Sequence, residues 1–311
     1  MKVVVTGGAG FIGSHAVDRL LELGHEVVVI DDFSYGKEEN LQQHKNNPKL
    51  AIHKKDINEK ITDILKGTDA ILHFAAIPRV QYSIEHPDIC HHANVNGTLN
   101  LLIEAKNSGV KRFVFISSCA VYGDNEKIPY TEETPLNPLS PYAAHKITGE
   151  HYTTLFNYLH GMETVNLRFF NVYGPRLDPS GSYACLVPRS IDRAIQGLPI
   201  IIYGDGEQTR DFVYVSDIID AVISAAFTKS KESIGQTFNI GTGKETSVND
   251  VIKHVLEMQK TTVDHHESRK EPRKAVADIT KAKKLLGWTP KTTLKEGLKQ
   301  TFNYLKANAK S

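Results

Sequence analysis

Thr6-Gly7-Gly8-Ala9-Gly10-Phe11-Ile12-Gly13 is the stretch that decides the fold. Before it, Lys2–Thr6 is an apolar, β-branched run. After it, Phe11–Leu23 has apolar residues at helical spacing, and Glu26–Ile30 is a second apolar run ending at Asp31-Asp32. Strand, glycine turn, helix and strand make one β-α-β unit. Glycines at 7, 10 and 13 clear the turn of side chains where backbone approaches a pyrophosphate. Phe11 and Ile12 open the helix, whose free N–H groups and positive dipole end face the phosphates. Such turns also occur as plain structure, and Asp31 sharpens the reading. A carboxylate ending the second strand accepts hydrogen bonds from the adenosine ribose hydroxyls and repels a 2′-phosphate, so NAD is expected over NADP.

The alternation continues outward. Lys49–His53, Ala70–Ala75, Arg112–Ser117 and Glu163–Phe169 read as strands, and Val95–Ser108 and Tyr142–Leu159 as helices. Continuous apolar strands between amphipathic helices imply a doubly wound parallel (Rossmann) α/β sheet covered on both faces. From Asn171 the rhythm loosens, punctuated by Pro175, Pro179, Gly181, Pro188 and Pro199. Phe212–Val215 and Thr237–Ile240 read as short strands, and Val248–Gln259 and Leu294–Ala307 as helices. The expected organisation is a dinucleotide-binding domain over 1–170 and a smaller α/β substrate domain over 171–311. Part of 212–240 is expected to pack back on the first domain, with a ligand cleft between the two.

Composition narrows the function classes. The 311 residues are 40% hydrophobic and 23% charged, with a formal net charge of +1. Those are the proportions of an ordinary soluble globular protein. No long run of one sign suggests a nucleic-acid or anionic-membrane partner. The N-terminus has no signal-peptide apolar region, and no stretch approaches a membrane span. Three scattered cysteines, Cys90, Cys119 and Cys185, suggest a reducing compartment, so a cytoplasmic protein is expected. His91-His92 and His265-His266 are adjacent pairs that do not share a face, and no recognised zinc spacing occurs, so no metal is expected.

Tyr142-Ala143-Ala144-His145-Lys146 sets a tyrosine and a lysine one helical turn apart on one face. A phenol of ordinary pKa near 10 is a poor base at neutral pH. A neighbouring ammonium and a positive nicotinamide ring would both favour the phenolate, which could then exchange a proton with a substrate hydroxyl. Such pairs arise by chance in many helices. Here the pair follows Ser117-Ser118-Cys119, at the end of an expected strand, and Val121-Tyr122-Gly123.

The order glycine turn, strand-end serine, Tyr-x-x-x-Lys resembles the short-chain dehydrogenase/reductase superfamily. His73-Phe74-Ala75-Ala76, Asn94-Val95-Asn96-Gly97-Thr98 and Arg168-Phe169-Phe170-Asn171-Val172-Tyr173-Gly174-Pro175-Arg176 look like its extended, nucleotide-sugar-modifying branch. Gly204-Asp205-Gly206-Glu207-Gln208-Thr209-Arg210-Asp211-Phe212 and Ala277-Asp278-Ile279 continue the match along nearly the whole chain. The resemblance implies roles. Tyr142 would be the acid/base. Lys146 would hold the nicotinamide ribose and tune Tyr142, and Ser118 would bond the sugar 4-hydroxyl. Asp56 and Ile57 would meet the adenine, with Phe74, Ala75, Ala76 and Asn94 along the cofactor. Asn171 and Arg210 would hold a nucleotide diphosphate and Glu271 the uridine ribose. The branch forms homodimers through the helices that correspond here to Val95–Ser108 and Tyr142–Leu159.

Within the branch, dehydratases carry an Asp-Glu pair after the strand-end serine or threonine, where this chain has Cys119 and Ala120. Decarboxylases carry a glutamate at the position of Ala120. Epimerases of the glucuronic acid type often carry an arginine before a Tyr-Ser pair, and here Gln81 precedes Tyr82-Ser83. The remaining set matches a nucleotide-sugar 4-epimerase acting on UDP-glucose and UDP-galactose. A related dehydratase or oxidoreductase and an idle NAD-binding sensor are the alternatives. One segment departs from the pattern: Glu267–Lys274 lacks the expected glycine and its arginine falls one place late, so Arg269 is replaceable as a diphosphate ligand by Lys270 or Arg273. Ala275 stands where family members place a pocket residue near the sugar's 2-substituent. A methyl group there leaves room for an acetamido group, so UDP-N-acetylglucosamine and UDP-N-acetylgalactosamine enter the expected substrate range.

Overall fold

The central sheet collects β1 (Lys2–Thr6), β2 (Glu26–Asp31), β3 (Leu50–Lys54), β4 (Ala70–His73), β5 (Arg112–Ser118), β6 (Glu163–Phe169) and the later strand Gln236–Ile240. The structure, a computed structural model, describes residues 1–180, 185–268 and 272–309. The spatial order is Gln236–Ile240, β6, β5, β4, β1, β2, β3, with every neighbouring pair parallel. β1 has β2 on one side and β4 on the other, so the chain winds outward one way to β3 and then the other way from β4. At that reversal the loops after β1 and β4 part and leave a crevice at the strands' carboxyl ends.

The strands' period of two sorts their side chains into two cores. Val3, Val5, Val27, Val29, Leu72 and Val114 face one core, which the helices Phe11–Glu22 and Val215–Phe227 cover through Ala16, Val17, Leu20, Ile218 and Val222. Val4, Val28, Ile30, Ile71, Phe113 and Phe115 face the other, covered by Leu101, Leu102 and Ala105 of Gly97–Asn107 and by Phe156 of Pro141–His160. Burial on both faces explains why these strands read as unbroken apolar runs.

Beyond residue 170 the pieces are smaller. Asn171–Tyr173 runs parallel to Phe212–Tyr214, and Ile200–Tyr203 parallel to Val263–His266. Thr209–Arg210 lies between Thr246–Ser247 and Lys274–Ala275. The helix expected over Val95–Ser108 instead begins as a π turn, His92–Asn96, before Gly97–Asn107. The helices Leu186–Ile195 and Val215–Phe227 and the strand Val263–His266 were absent from the sequence reading. Pro188 disguises the first, although proline is at home in a first helical turn. Val263-Asp264-His265-His266 has no apolar alternation, and only its pairing with Ile200–Tyr203 makes it a strand.

Among the described residues, no helix is long and apolar enough to cross a membrane.

Candidate active site

The crevice at the strand reversal is a cleft of about 1220 Å³ running from Asp31 past the glycine turn to Tyr142. Gly7 sits at φ 68°, and a Cβ there would lie 2.7 Å from the Ala75 amide nitrogen. A Cβ at Gly13 would lie 2.2 Å from the Gly7 carbonyl oxygen. The turn therefore packs backbone on backbone, a closeness that only glycine allows. The Gly7 amide donates to the Ile30 carbonyl at 2.8 Å, tying the turn to β2 beside Asp31.

Asp31 is buried, with Oδ2 accepting from the Ala9 amide at 2.9 Å and Oδ1 from the Phe33 amide at 2.8 Å. Its pKa is nonetheless raised, because burial outweighs those two bonds. A buried carboxylate with lone pairs to spare suits two further hydroxyl donors, as a ribose supplies. Every residue named from the sequence for the dinucleotide lines this cleft, with one exception. Asn94 sits in the π turn and does not line it. Its amide instead grips Ile77 both ways, accepting from the backbone N–H at 2.7 Å and donating to the carbonyl at 3.1 Å. It braces the wall that follows β4, because the π turn aims the side chain at that backbone.

Two elements bring Ser118, Tyr142 and Lys146 together. β5 ends at Ser118, whose Oγ accepts from the Ala120 amide at 3.2 Å and so stays at the strand tip. The helix Pro141–His160 is started by Ser140, whose Oγ caps the Ala143 amide, with Pro141 in the first turn. The Tyr142 amide is held by Ser83 Oγ at 3.1 Å. One turn on, Lys146 Nζ donates to the Ile116 carbonyl at 2.7 Å and lies 5.8 Å from the centre of the Tyr142 ring.

The electrostatics differ from the sequence expectation in one respect. Burial pushes the Tyr142 phenol up to about 12, and the hydrogen bond with Ser118 only partly opposes it. The Lys146 ammonium is spent on the Ile116 carbonyl and does not reverse the burial. Positive charge arriving with a bound nicotinamide ring would oppose that rise. Lys146 itself falls to about 8, through burial opposed by the Glu150 carboxylate. His73, bonded to Thr6 Oγ1 at 2.7 Å and Thr98 Oγ1 at 2.9 Å, drops to about 3 by burial and beside Lys146.

Of the residues expected to meet a substrate, Ser118 and Tyr142 line the cleft, whereas Asn171, Arg210 and Ala275 do not. Asn171 begins the strand Asn171–Tyr173, and its Oδ1 is buried without a hydrogen-bond partner. Arg210 Nη1 donates to the Thr209 carbonyl at 2.8 Å, and its charge reaches the Cys119 thiol beside Ser118. Ala275 is buried and pairs with Arg210. The expectations for Arg269, Lys270 and Glu271 lie outside the described residues. Arg273 forms a two-bond ion pair with Asp205, at 3.0 and 2.7 Å. Sequence reasoning passed over Arg176, which lines the cleft at φ 67° and bonds Ser14 Oγ at 3.1 Å and Asp18 at 2.8 Å. Its place directly after Gly174-Pro175 was a visible turn signal. Among the described residues, no three His, Cys, Asp or Glu side chains group as metal ligands.

Known proteins are similar to this chain in sequence and fold. The family described as the NAD dependent epimerase/dehydratase family matches residues 3–241. A UDP-glucose 4-epimerase of Mycolicibacterium smegmatis is 38% identical over 313 residues, covering 98% of this chain and 99% of its own. UDP-glucuronic acid decarboxylase 4 of Arabidopsis thaliana is 36% identical, over 96% of this chain and 67% of its own. The crystal structure of a Thermotoga maritima UDP-glucose 4-epimerase with UDP-glucose superposes with a TM-score of 0.93 at 38% identity, covering 99% of this chain and all of that one. With its glycine turn, its Asp31 and its Ser118, Tyr142 and Lys146 in one cleft, the chain belongs to the NAD dependent epimerase/dehydratase family, and its cofactor is NAD.

Proposed function

We propose that this enzyme is a UDP-hexose 4-epimerase that interconverts UDP-glucose and UDP-galactose. The observation that carries the proposal is the poverty of the site around Ser118, Tyr142 and Lys146. The next two positions are Ala120, which has no proton to exchange, and Cys119, whose thiol burial pushes up to about 12. Eliminating water or carbon dioxide calls on a further acid or base; inverting one carbinol does not. NAD, when bound beside Tyr142 and Lys146, would supply a hydride acceptor and donor for the C4 carbinol. Tyr142 takes the 4-hydroxyl proton and gives it back, with Ser118 bridging phenol and sugar. Lys146 anchors the nicotinamide ribose from the floor of the cleft. The flat 4-keto sugar presents its other face before reduction, so no cofactor is consumed.

Asn171, Arg210 and Glu271 hold the UDP moiety in this reading, supported by the unpartnered Asn171 oxygen and the charge of Arg210 near Ser118. The small Ala275 extends the substrate range to UDP-N-acetylhexosamines. Next to Ala275, the Lys274 carbonyl accepts from the Tyr130 hydroxyl at 3.3 Å. The enzyme works as a homodimer in the cytoplasm, a reading supported by exposed Leu155, Tyr158 and Leu159 on the helix Pro141–His160 and by three free cysteines. Incubation with UDP-glucose, UDP-N-acetylglucosamine and UDP-glucuronic acid, followed by proton NMR, tests the function. C4 epimers of the first two, with unchanged mass and no net NADH, are expected. Release of carbon dioxide from the uronate, or loss of water from any substrate, would sink it.

A further inference from the structure

Beneath the reacting groups lies a buried ion pair that the reaction itself does not use. Glu150 and Arg168 are 4% and 5% exposed. Arg168, on β6, donates from Nε to Glu150 Oε1 at 2.9 Å and from Nη2 to Oε2 at 2.7 Å. Ser117 Oγ donates to the same Oε1. Arg168 Nη1 continues to the Tyr122 hydroxyl at 2.8 Å, and that hydroxyl donates to Asn239 Oδ1 at 2.7 Å. A buried pair of this kind is weak evidence for stability, since apolar residues of similar volume often do as well. Its position suggests a different use.

Tyr142, Lys146 and Glu150 are successive fourth residues on the inward face of one helix. Lys146 is fastened to the Ile116 carbonyl, and Glu150 to the next residue, Ser117, immediately before Ser118. The two attachments fix the height of the helix against the tip of β5, and with it the meeting of Tyr142 and Ser118. We infer that Glu150, clamped by Arg168 and Ser117, is a positioning residue that sets its carboxylate one turn from Lys146 and holds Lys146 and Tyr142 in register with Ser118. The inference rests on the proposed roles of Tyr142 and Lys146.

Groups from three elements face Lys146. From β4 comes His73, held neutral; from β5, the Phe115 ring face at 5.1 Å and the Ile116 carbonyl; from its own helix, Tyr142, His145 and Glu150. Glu150 is the one acid that raises Lys146 against its burial. Removing that charge lets the ammonium deprotonate at lower pH.

The test uses the full chain with its resident NAD. In Glu150→Gln the basic limb of the kcat/KM pH profile should move down by about one unit, the low end of the effect of a close opposite charge. At pH 8 turnover should fall by about fivefold, because the charged fraction of Lys146 drops from about one half to about one tenth, with KM for the UDP-sugar within about twofold, and Glu150→Asp should recover most of it. If Glu150→Gln does not fold, Glu150→Met with Arg168→Met removes both charges together and should show a smaller displacement in the same direction, because the lost Arg168 charge offsets part of the lost carboxylate. An unmoved limb in a folded variant overturns the inference, even where thermal stability falls. Tyr142→Phe is the control for the underlying reading: near-normal turnover there would move the reaction centre elsewhere. NAD affinity against pH, measured by calorimetry on the same Glu150 variants, still decides the role of Glu150 in that event, because a displaced pH dependence supports it and an unmoved one refutes it.

Discussion

Replacing Asp31 with asparagine keeps the shape of the side chain and removes its charge. A hydrogen bond to a charged acceptor contributes ~1.5–3 kcal/mol, against ~0.5–1.5 kcal/mol for a neutral one. With two ribose hydroxyls on the carboxylate, the loss is about 2–3 kcal/mol of NAD affinity, or roughly 30- to 150-fold at 1.4 kcal/mol per decade. Stability should move much less, because two effects oppose. Asparagine turns an N–H toward the Ala9 or Phe33 amide, now donor against donor, where Asp31 accepts from both. Against that, the pKa of Asp31 is raised in the folded chain, so its contribution to stability is greatest in acid and is lost as pH rises through the folded value. At neutral pH asparagine escapes that penalty. The assay is therefore affinity: calorimetric titration of cofactor-stripped protein with NAD and with NADP. NAD should weaken strongly while NADP, freed of charge repulsion, weakens little or improves. A fall in NAD affinity of less than threefold, or equal affinity for both cofactors in the unmodified chain, refutes the role of Asp31.

Tyr142→Phe should lower turnover by about 10²–10⁴-fold while the protein still carries NAD; steady-state rates and the absorbance of bound cofactor check this. His73 should make the chain acid-sensitive. Its folded pKa of about 3 lies below the ordinary 6.5, so the unfolded chain binds the extra proton and stability falls as pH drops from 6.5 toward 3. Chemical denaturation over that window should show a slope smaller by up to about 1.4 kcal/mol per pH unit in His73→Gln than in the parent. Tyr158 and Leu159, 83% and 62% exposed, should lie in a subunit interface. Light scattering at micromolar concentration should give twice the mass of 34.6 kDa, and Leu159→Asp should halve it; a monomeric parent would end that reading.

The cofactor half was legible because its signals are local. A glycine turn between strand and helix, with a carboxylate at the next strand end, is one continuous run of chain, and backbone sterics alone demand its glycines. The Tyr142–Lys146 spacing is likewise a property of one helix. What lay beyond the sequence depends on pairs far apart in it. Asn94 was expected along the cofactor, but a π turn aims it at Ile77. Val263–His266 carries no strand pattern and owes its form to Ile200–Tyr203, more than fifty residues earlier. The direction of the Tyr142 shift also needed tertiary structure, because burial is set by the surrounding elements, and a neighbouring lysine identified by spacing already donates its hydrogen bond to a carbonyl on β5. Residue types and short spacings determine which chemistry is available to this chain. Packing decides how far each group is desolvated and which partner it meets, and those two quantities set its charge.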